Sequence, residues 1–213
     1  MYPQTSPRLV IASRNEKKRI ELEELLSGAS FRILSLKNFP DCPEVEETGK
    51  TFSENAALKA VQVASHTGLW TLADDSGLLV DALGGLPGVH SARYAAGNST
   101  GNSTDQENIL LLLKNLQGVP DDQRTARFAC AIALAQPRDN GQAVVVAESF
   151  GTVEGRIIHE PRGEQGFGYD PIFLIPEYGK TFGELGAEIK HQISHRFRAL
   201  NNMIPTLLEY IRE

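Results

Sequence analysis

Asp74 and Asp75 stand side by side in the run Leu72-Ala73-Asp74-Asp75-Ser76-Gly77, between apolar Leu69-Trp70-Thr71-Leu72-Ala73 and Leu78-Leu79-Val80. Read as a strand that ends at a Ser-Gly turn, this segment puts two adjacent carboxylates at a buried strand end. Desolvation and mutual repulsion make that placement unfavourable. A hard divalent cation removes both penalties, because Mg²⁺ prefers oxygen ligands, and strand ends are where α/β folds hold their ligands. The plainer alternative is a solvated turn acid followed by a capping Asp.

Three further groupings could carry chemistry. Ser13-x-Asn15-x-x-Lys18, within Ser13-Arg14-Asn15-Glu16-Lys17-Lys18, lies between a strand and a helix. A hydroxyl, an amide, an ammonium and the N–H groups of a helix start suit a polyphosphate. The same residues could simply cap the helix, and no GxxxxGK[ST] loop occurs. Glu44-Val45-Glu46-Glu47-Thr48-Gly49 is a solvated acidic turn unless it folds beside Asp74-Asp75. Gly166-Phe167-Gly168-Tyr169-Asp170-Pro171 could offer a stacking surface to a base, or tuck its aromatics into the core. In Lys190-His191-Gln192-Ile193-Ser194-His195-Arg196, Ser194 is placed to cap the last helix. His195 and Arg196 then oppose the helix dipole, which an anion or a carbonyl-rich ligand would offset.

The elements that must position these groups follow from local pattern. Residues 9–12 read as a strand and 17–26 as a helix with Leu22, Leu25 and Leu26 on one face. Thr51-Phe52-Ser53-Glu54 and Thr104-Asp105-Gln106-Glu107 are capping boxes, the first opening a helix that stops at Gly68. Residues 127–135, 143–147, 151–158 and 172–175 read as strands, and residues 194–211 as a final helix. Early alternation of strands and helices, then clustered strands, predicts an α/β fold with a mixed sheet.

The 213 residues fit one large domain or two small lobes. A net charge of −6 argues against non-specific nucleic-acid binding. The two cysteines, Cys42 and Cys130, form no CxxC or metal-ligand spacing. No apolar run reaches transmembrane length, and residues 1–7, without an apolar signal region, read as a loose tail. A reducing, cytoplasmic location is the default expectation.

Taken together, the segments SRNEKK, EETGKTFSENAALKA, ADDSGLLVDALGGLPGVHSARYA, FGYDPIF and KHQISHR resemble, in content and order, the inosine triphosphate pyrophosphatases, the Ham1-like non-canonical purine NTP pyrophosphatases. The likeness runs from about Leu9 to Leu208. It implies an elongated mixed β-sheet flanked by helices that form two lobes, with the active-site cleft between them, in a single pyrophosphatase domain over residues 8–213 that usually forms a homodimer. It implies Mg²⁺-dependent hydrolysis of ITP, dITP and XTP to the monophosphate and pyrophosphate, clearing deaminated purines from the nucleotide pool.

By position in that resemblance, Ser13, Asn15 and Lys18 hold the triphosphate, with Arg14, Glu16 and Lys17 in the same loop. Glu46 and Asp75 hold Mg²⁺, with Asp74 close by; Asp75 is the general base and Ser76 a substrate contact. Phe167, Gly168, Tyr169 and Asp170 wall the base, and Lys190, His195 and Arg196 read its edge. Lys59 and Arg93 are further phosphate partners. Donors facing O6 of hypoxanthine would be left unpaired by adenine's amino group, a mismatch that can discriminate by ~10⁴-fold or more. Lys17, Gly183 and Gly186 depart from the residues common at those positions. A pyrophosphatase of other modified nucleotides on the related Maf-like fold, or a nucleotide sensor without turnover, are the competing readings.

Overall fold

In the computed structural model the described residues are 7–28, 31–97, 101 and 103–211; the expected tail, but for its last residue, lies outside them. Seven strands form one sheet in the order β2-β1-β3-β4-β5-β6-β7: β1 (Arg8–Ile11), β2 (Arg32–Ser35), β3 (Trp70–Val80), β4 (Thr125–Pro137), β5 (Ala143–Ile157), β6 (Phe173–Ile175) and β7 (Lys180–Thr181). β1 runs parallel to β2 and β3, whereas β6 runs antiparallel to β5 and β7. The mixed sheet expected from the sequence is therefore present, accompanied by α1 (Glu16–Leu25), α2 (Phe52–Thr67), α3 (Asp105–Asn115), α4 (Ala187–Ile193) and α5 (His195–Ile211).

The chain divides into two compact units, each with its own core. One comprises Met1–Asp75, Cys130–Gly151 and Arg196–Glu213; the other comprises Ser76–Ala129 and Thr152–His195. The first packs Leu9, Ile11 and Leu72 with Leu22 of α1, Cys130 and Ile132 of β4, and Leu200, Met203 and Leu207 of α5. The second packs Leu78 and Val80 with Leu112 of α3, Phe128 of β4, and Phe173 and Phe182, whose rings lie 5.6 Å apart and nearly parallel. Along β4 the large residues Phe128, Ile132 and Leu134 alternate with Ala129, Ala131, Ala133 and Ala135, all buried. Small side chains on one face let a neighbouring layer approach closely.

Local chemistry sets the helix ends as expected. Thr51 accepts the Glu54 N–H at 3.1 Å while Glu54 accepts the Thr51 N–H, and Thr104 and Glu107 repeat the box at α3. Gly68 closes α2 at φ +65°, a left-handed conformation that costs glycine nothing.

Two strand boundaries differ from expectation. β3 does not end at Asp75; it continues to Val80, and the backbone turns left-handed only at Gly84 and Gly85. Leu78 and Val80 are fully buried, so the gain from keeping them in the core outweighs the turn preference of Ser76-Gly77. Likewise β5 is one strand of 15 residues where two were expected. Gly151 lies inside it and is buried, and the close approach falls at Gly155, where a Cβ would lie 2.6 Å from Leu174 O. The segment before Lys190 forms a short helix, α4, although Gly186 at its N-cap brings no capping side chain. Ser194 stands at the position expected of it, extended and immediately before the first residue of α5, and it also ends α4.

No helix among the described residues is long and apolar enough to cross a membrane. Both cysteines are buried and free, and burial pushes the Cys130 thiol up to about 12. At pH 8 its thiolate fraction is then ~10⁻⁴. Cys130 is expected to resist a thiol-specific disulfide reagent at pH 8 for a time in which urea-unfolded protein reacts fully. Rapid labelling of Cys130 in the native protein would contradict that burial.

Candidate active site

Because β3 runs on through the Asp74-Asp75 pair, the two carboxylates point to opposite faces of the strand. Each therefore has its own partners. Asp74, 1% exposed, is met by Arg196, whose Nε and Nη2 lie 3.3 Å from Oδ2, and by Lys18 Nζ at 3.9 Å. Arg196 is itself 1% exposed and also pairs with Glu21 of α1. Burial alone would raise the Asp74 carboxyl, but Lys18, Arg196 and Lys59 together hold it well below the usual carboxylate range.

Asp75, 5% exposed, faces α2. Asn55 Nδ2 donates to its Oδ2 at 3.1 Å, and Lys59 Nζ stands 3.6 Å from its Oδ1. Lys59 also donates to Glu47 at 2.7 Å, and Asn55 accepts the Gly49 N–H at 2.8 Å. Capping fixes the start of α2, so Asn55 and Lys59, four residues apart on that helix, face the same way and tie the acidic loop to Asp75. Burial is the main influence on the Asp75 carboxyl, and with Glu47 nearby it ends above its ordinary value despite Lys59 and Lys18. The two adjacent carboxyls thus shift in opposite directions, Asp74 down and Asp75 up.

The loop expected to hold phosphate lies in the same unit. Asn15 is the N-cap of α1 and accepts the N–H groups of Lys17 and Lys18 at 3.1 and 3.2 Å. Ser13 Oγ donates to the Asn15 carbonyl, and Arg14 donates to Cys42 O at 2.6 Å, which joins this loop to the segment leading to Glu46 and Glu47. Glu16, exposed, is drawn down to about 2, chiefly by its hydrogen bond to Arg19 and then by Lys37. Lys17 is exposed, whereas Lys18 is half-buried and reaches toward Asp74. Glu46 is exposed, and its carbonyl accepts the Thr48 N–H.

The groups expected to meet a base are gathered in the second unit, with one exception. Lys190, buried, donates to Asp170 Oδ2 at 2.7 Å and sits 4.6 Å from the centroid of the Phe167 ring. Asp170 Oδ2 also accepts the Phe167 N–H at 2.8 Å. Gly166, at φ +77°, makes room for that carboxylate, since a Cβ there would lie 2.0 Å from Oδ2. Tyr169 is buried, its hydroxyl donating to Ser91 O at 2.9 Å. His195 is buried and stacks on Phe128 at 5.0 Å. Phe167 and Gly168 are half-buried, as is Ser76. The exception is Arg196, which belongs to the first unit and is engaged there with Asp74 and Glu21.

Sequence reasoning did not single out Glu21 or Asn55. The signal for Asn55 was present: an amide on the same helical face as Ala56, Ala60 and Val63, all buried, is costly unless it is hydrogen-bonded. Glu21 carried no such mark on a helix rich in charge.

An α/β fold thus sets two buried adjacent acids, each braced by cations, in the same unit as a lysine-bearing helix start. A model of the Ham1 family matches residues 9–206. The dITP/XTP pyrophosphatase of Geobacillus kaustophilus is 51% identical over 195 residues, 92% of this chain and 91% of that protein. That of Geobacter sulfurreducens is 51% identical, covering 91% of this chain and 92% of its own. The solved structure of a HAM1 protein from Coxiella burnetii superposes with a TM-score of 0.82 at 43% identity, over 95% of this chain and 99% of its own. The chain belongs to the Ham1 family.

Proposed function

We propose that this chain is a nucleoside triphosphate pyrophosphatase that hydrolyses non-canonical purine nucleoside triphosphates (ITP, dITP and XTP) to the monophosphate and pyrophosphate. Asp75 carries the proposal: a buried carboxylate with a raised proton affinity, oriented by Asn55 and Lys59, in a chain whose relatives are named for this activity. Water attacks the α-phosphorus, the bond from that phosphorus to the bridging oxygen breaks, and pyrophosphate leaves. Asp75 holds the water and takes its proton. A base whose proton affinity lies above that of an ordinary carboxylate suits that task at neutral pH. Lys18, with Ser13 and the start of α1, supplies positive charge for the phosphates, and Lys59 offsets further charge near Asp75.

Mg²⁺ fits the donors present. Among the described residues no group of three or more His, Cys, Asp or Glu gathers into a metal cage. Mg²⁺ characteristically uses one or two carboxylates together with substrate phosphates, and Glu46 and Asp75 would supply them, with Glu47 alongside. When bound, the cation neutralises charge on the phosphate oxygens. Lys190, His195 and Arg196 are proposed to read the edge of the base, with Phe167 as its wall. The enzyme is expected to act as a homodimer in the cytoplasm, on the free nucleotide pool.

Phosphorus NMR of an ITP reaction tests the bond that is cut. The expected products are IMP and pyrophosphate, formed with Mg²⁺ and lost on adding EDTA. IDP with orthophosphate would contradict the reading, as would undiminished turnover in EDTA.

A further inference from the structure

The Phe167-Gly168-Tyr169 segment is tied to a helix that bears none of the residues assigned above. Asp105, the first residue of α3, accepts the Gly168 N–H through Oδ2 at 2.9 Å, across 63 positions of sequence. The carboxylate lies in the first helical turn, where the positive end of the helix dipole favours it. The cap of that turn is made by Thr104 with Glu107, so the helix start does not depend on Asp105. One turn further along, Asn108 accepts the Ala95 N–H at 2.8 Å and donates to Ala92 O at 3.4 Å, close in sequence to Ser91, whose carbonyl receives the Tyr169 hydroxyl. Ser91 Oγ in turn accepts the Leu78 N–H of β3 at 2.9 Å. The base segment is thus held at Phe167 by Asp170, at Gly168 by Asp105 and at Tyr169 by Ser91.

We propose that Asp105 is a positioning residue for base recognition, holding the Gly168 amide so that Phe167 keeps a fixed orientation toward the purine. The inference rests on the reading of this segment as the base wall. Gly168 sits at φ +61°, and a glycine has the widest range of alternative conformations once its amide is released. A hydrogen bond to a carboxylate is stronger than one to a neutral acceptor, which suits a single contact that must hold such a residue. Its loss would blur the wall and weaken ITP binding, while the proton transfer at Asp75 continues.

Asp105→Ser, which keeps a good helix-start residue but cannot reach Gly168, is expected to raise KM for ITP about tenfold and to narrow the ITP/ATP ratio of kcat/KM, with kcat within about twofold. Asp105→Asn retains an acceptor oxygen and is expected to restore most of the loss. In the unaltered protein, the Gly168 amide is expected to exchange slowly with solvent by NMR, a readout that needs no variant to fold. A wild-type protein that does not prefer ITP to ATP would overturn the reading of the site itself. A wild-type protein that prefers ITP, with Asp105→Ser indistinguishable from it, with Asp105→Asn as impaired as Asp105→Ser, or with a freely exchanging Gly168 amide, would overturn the role of Asp105 alone.

Discussion

Asp75→Asn is expected to lower kcat for ITP by about 10²- to 10⁴-fold while nucleotide still binds. The amide is nearly isosteric, so Asn55 keeps an acceptor and Lys59 keeps Glu47 at 2.7 Å; what is removed is the proton acceptor. Steady-state pyrophosphate release and nucleotide binding by calorimetry separate the two effects. Stability should move the other way. The Asp75 carboxyl is raised in the folded chain, chiefly by burial, so its favourable contribution is present below the unfolded value and lost as pH rises through the folded one. At pH 7 the charged form opposes folding, and the neutral variant is expected to melt at or above the wild-type temperature. Retained turnover would remove Asp75 as the base. A sharply lowered melting temperature would show that its charge holds the fold.

Arg196→Ala is expected to destabilise the protein by about 3–5 kcal/mol, the usual result of removing one member of a buried ion pair. Arg196 and Asp74 are each 1% exposed, and Glu21 is the second carboxylate on the same guanidinium. Removing the cation takes away both of its bonds to Asp74, while Lys18 stands 3.9 Å away, too far for a good hydrogen bond. Urea unfolding measures the loss, and the double variant Asp74→Asn/Arg196→Met should recover much of it, because the fully buried Asp74 charge is then gone and only the more exposed Glu21 lacks its cation. A loss below about 1 kcal/mol, as for a surface pair, would contradict the account. The ITP/ATP ratio of a folded Arg196→Lys variant then separates a role in base reading, which shifts the ratio, from support of Asp74, which lowers turnover of both nucleotides together.

What the sequence disclosed was local. Both capping boxes and the stop at Gly68 follow from residues within a few positions of one another, so their chemistry was readable before any packing was known. The Asp74-Asp75 pair was legible as a site, but its geometry was not. A turn signal at Ser76-Gly77 is a weak local preference, and the burial of Leu78 and Val80 overrides it, placing the acids in mid-strand and on opposite faces. Partners set by the fold were invisible: Arg196 lies 122 positions from Asp74 and 175 from Glu21, and no local rule links residues so far apart. The resemblance grouped Arg196 with Lys190 and His195 at the edge of the base, and no local pattern announced that its side chain also meets Asp74 and Glu21. Asp105 was noticed only as part of a capping box, since its bond to Gly168 depends on tertiary structure.

The most direct test of the central claim is pyrophosphate release from ITP, XTP, ATP, GTP and dTTP at equal concentration, with and without Mg²⁺. Mg²⁺-dependent turnover of ITP and XTP far above the other three is the predicted result. Preference for dTTP, or binding of ITP with no turnover at all, would contradict it.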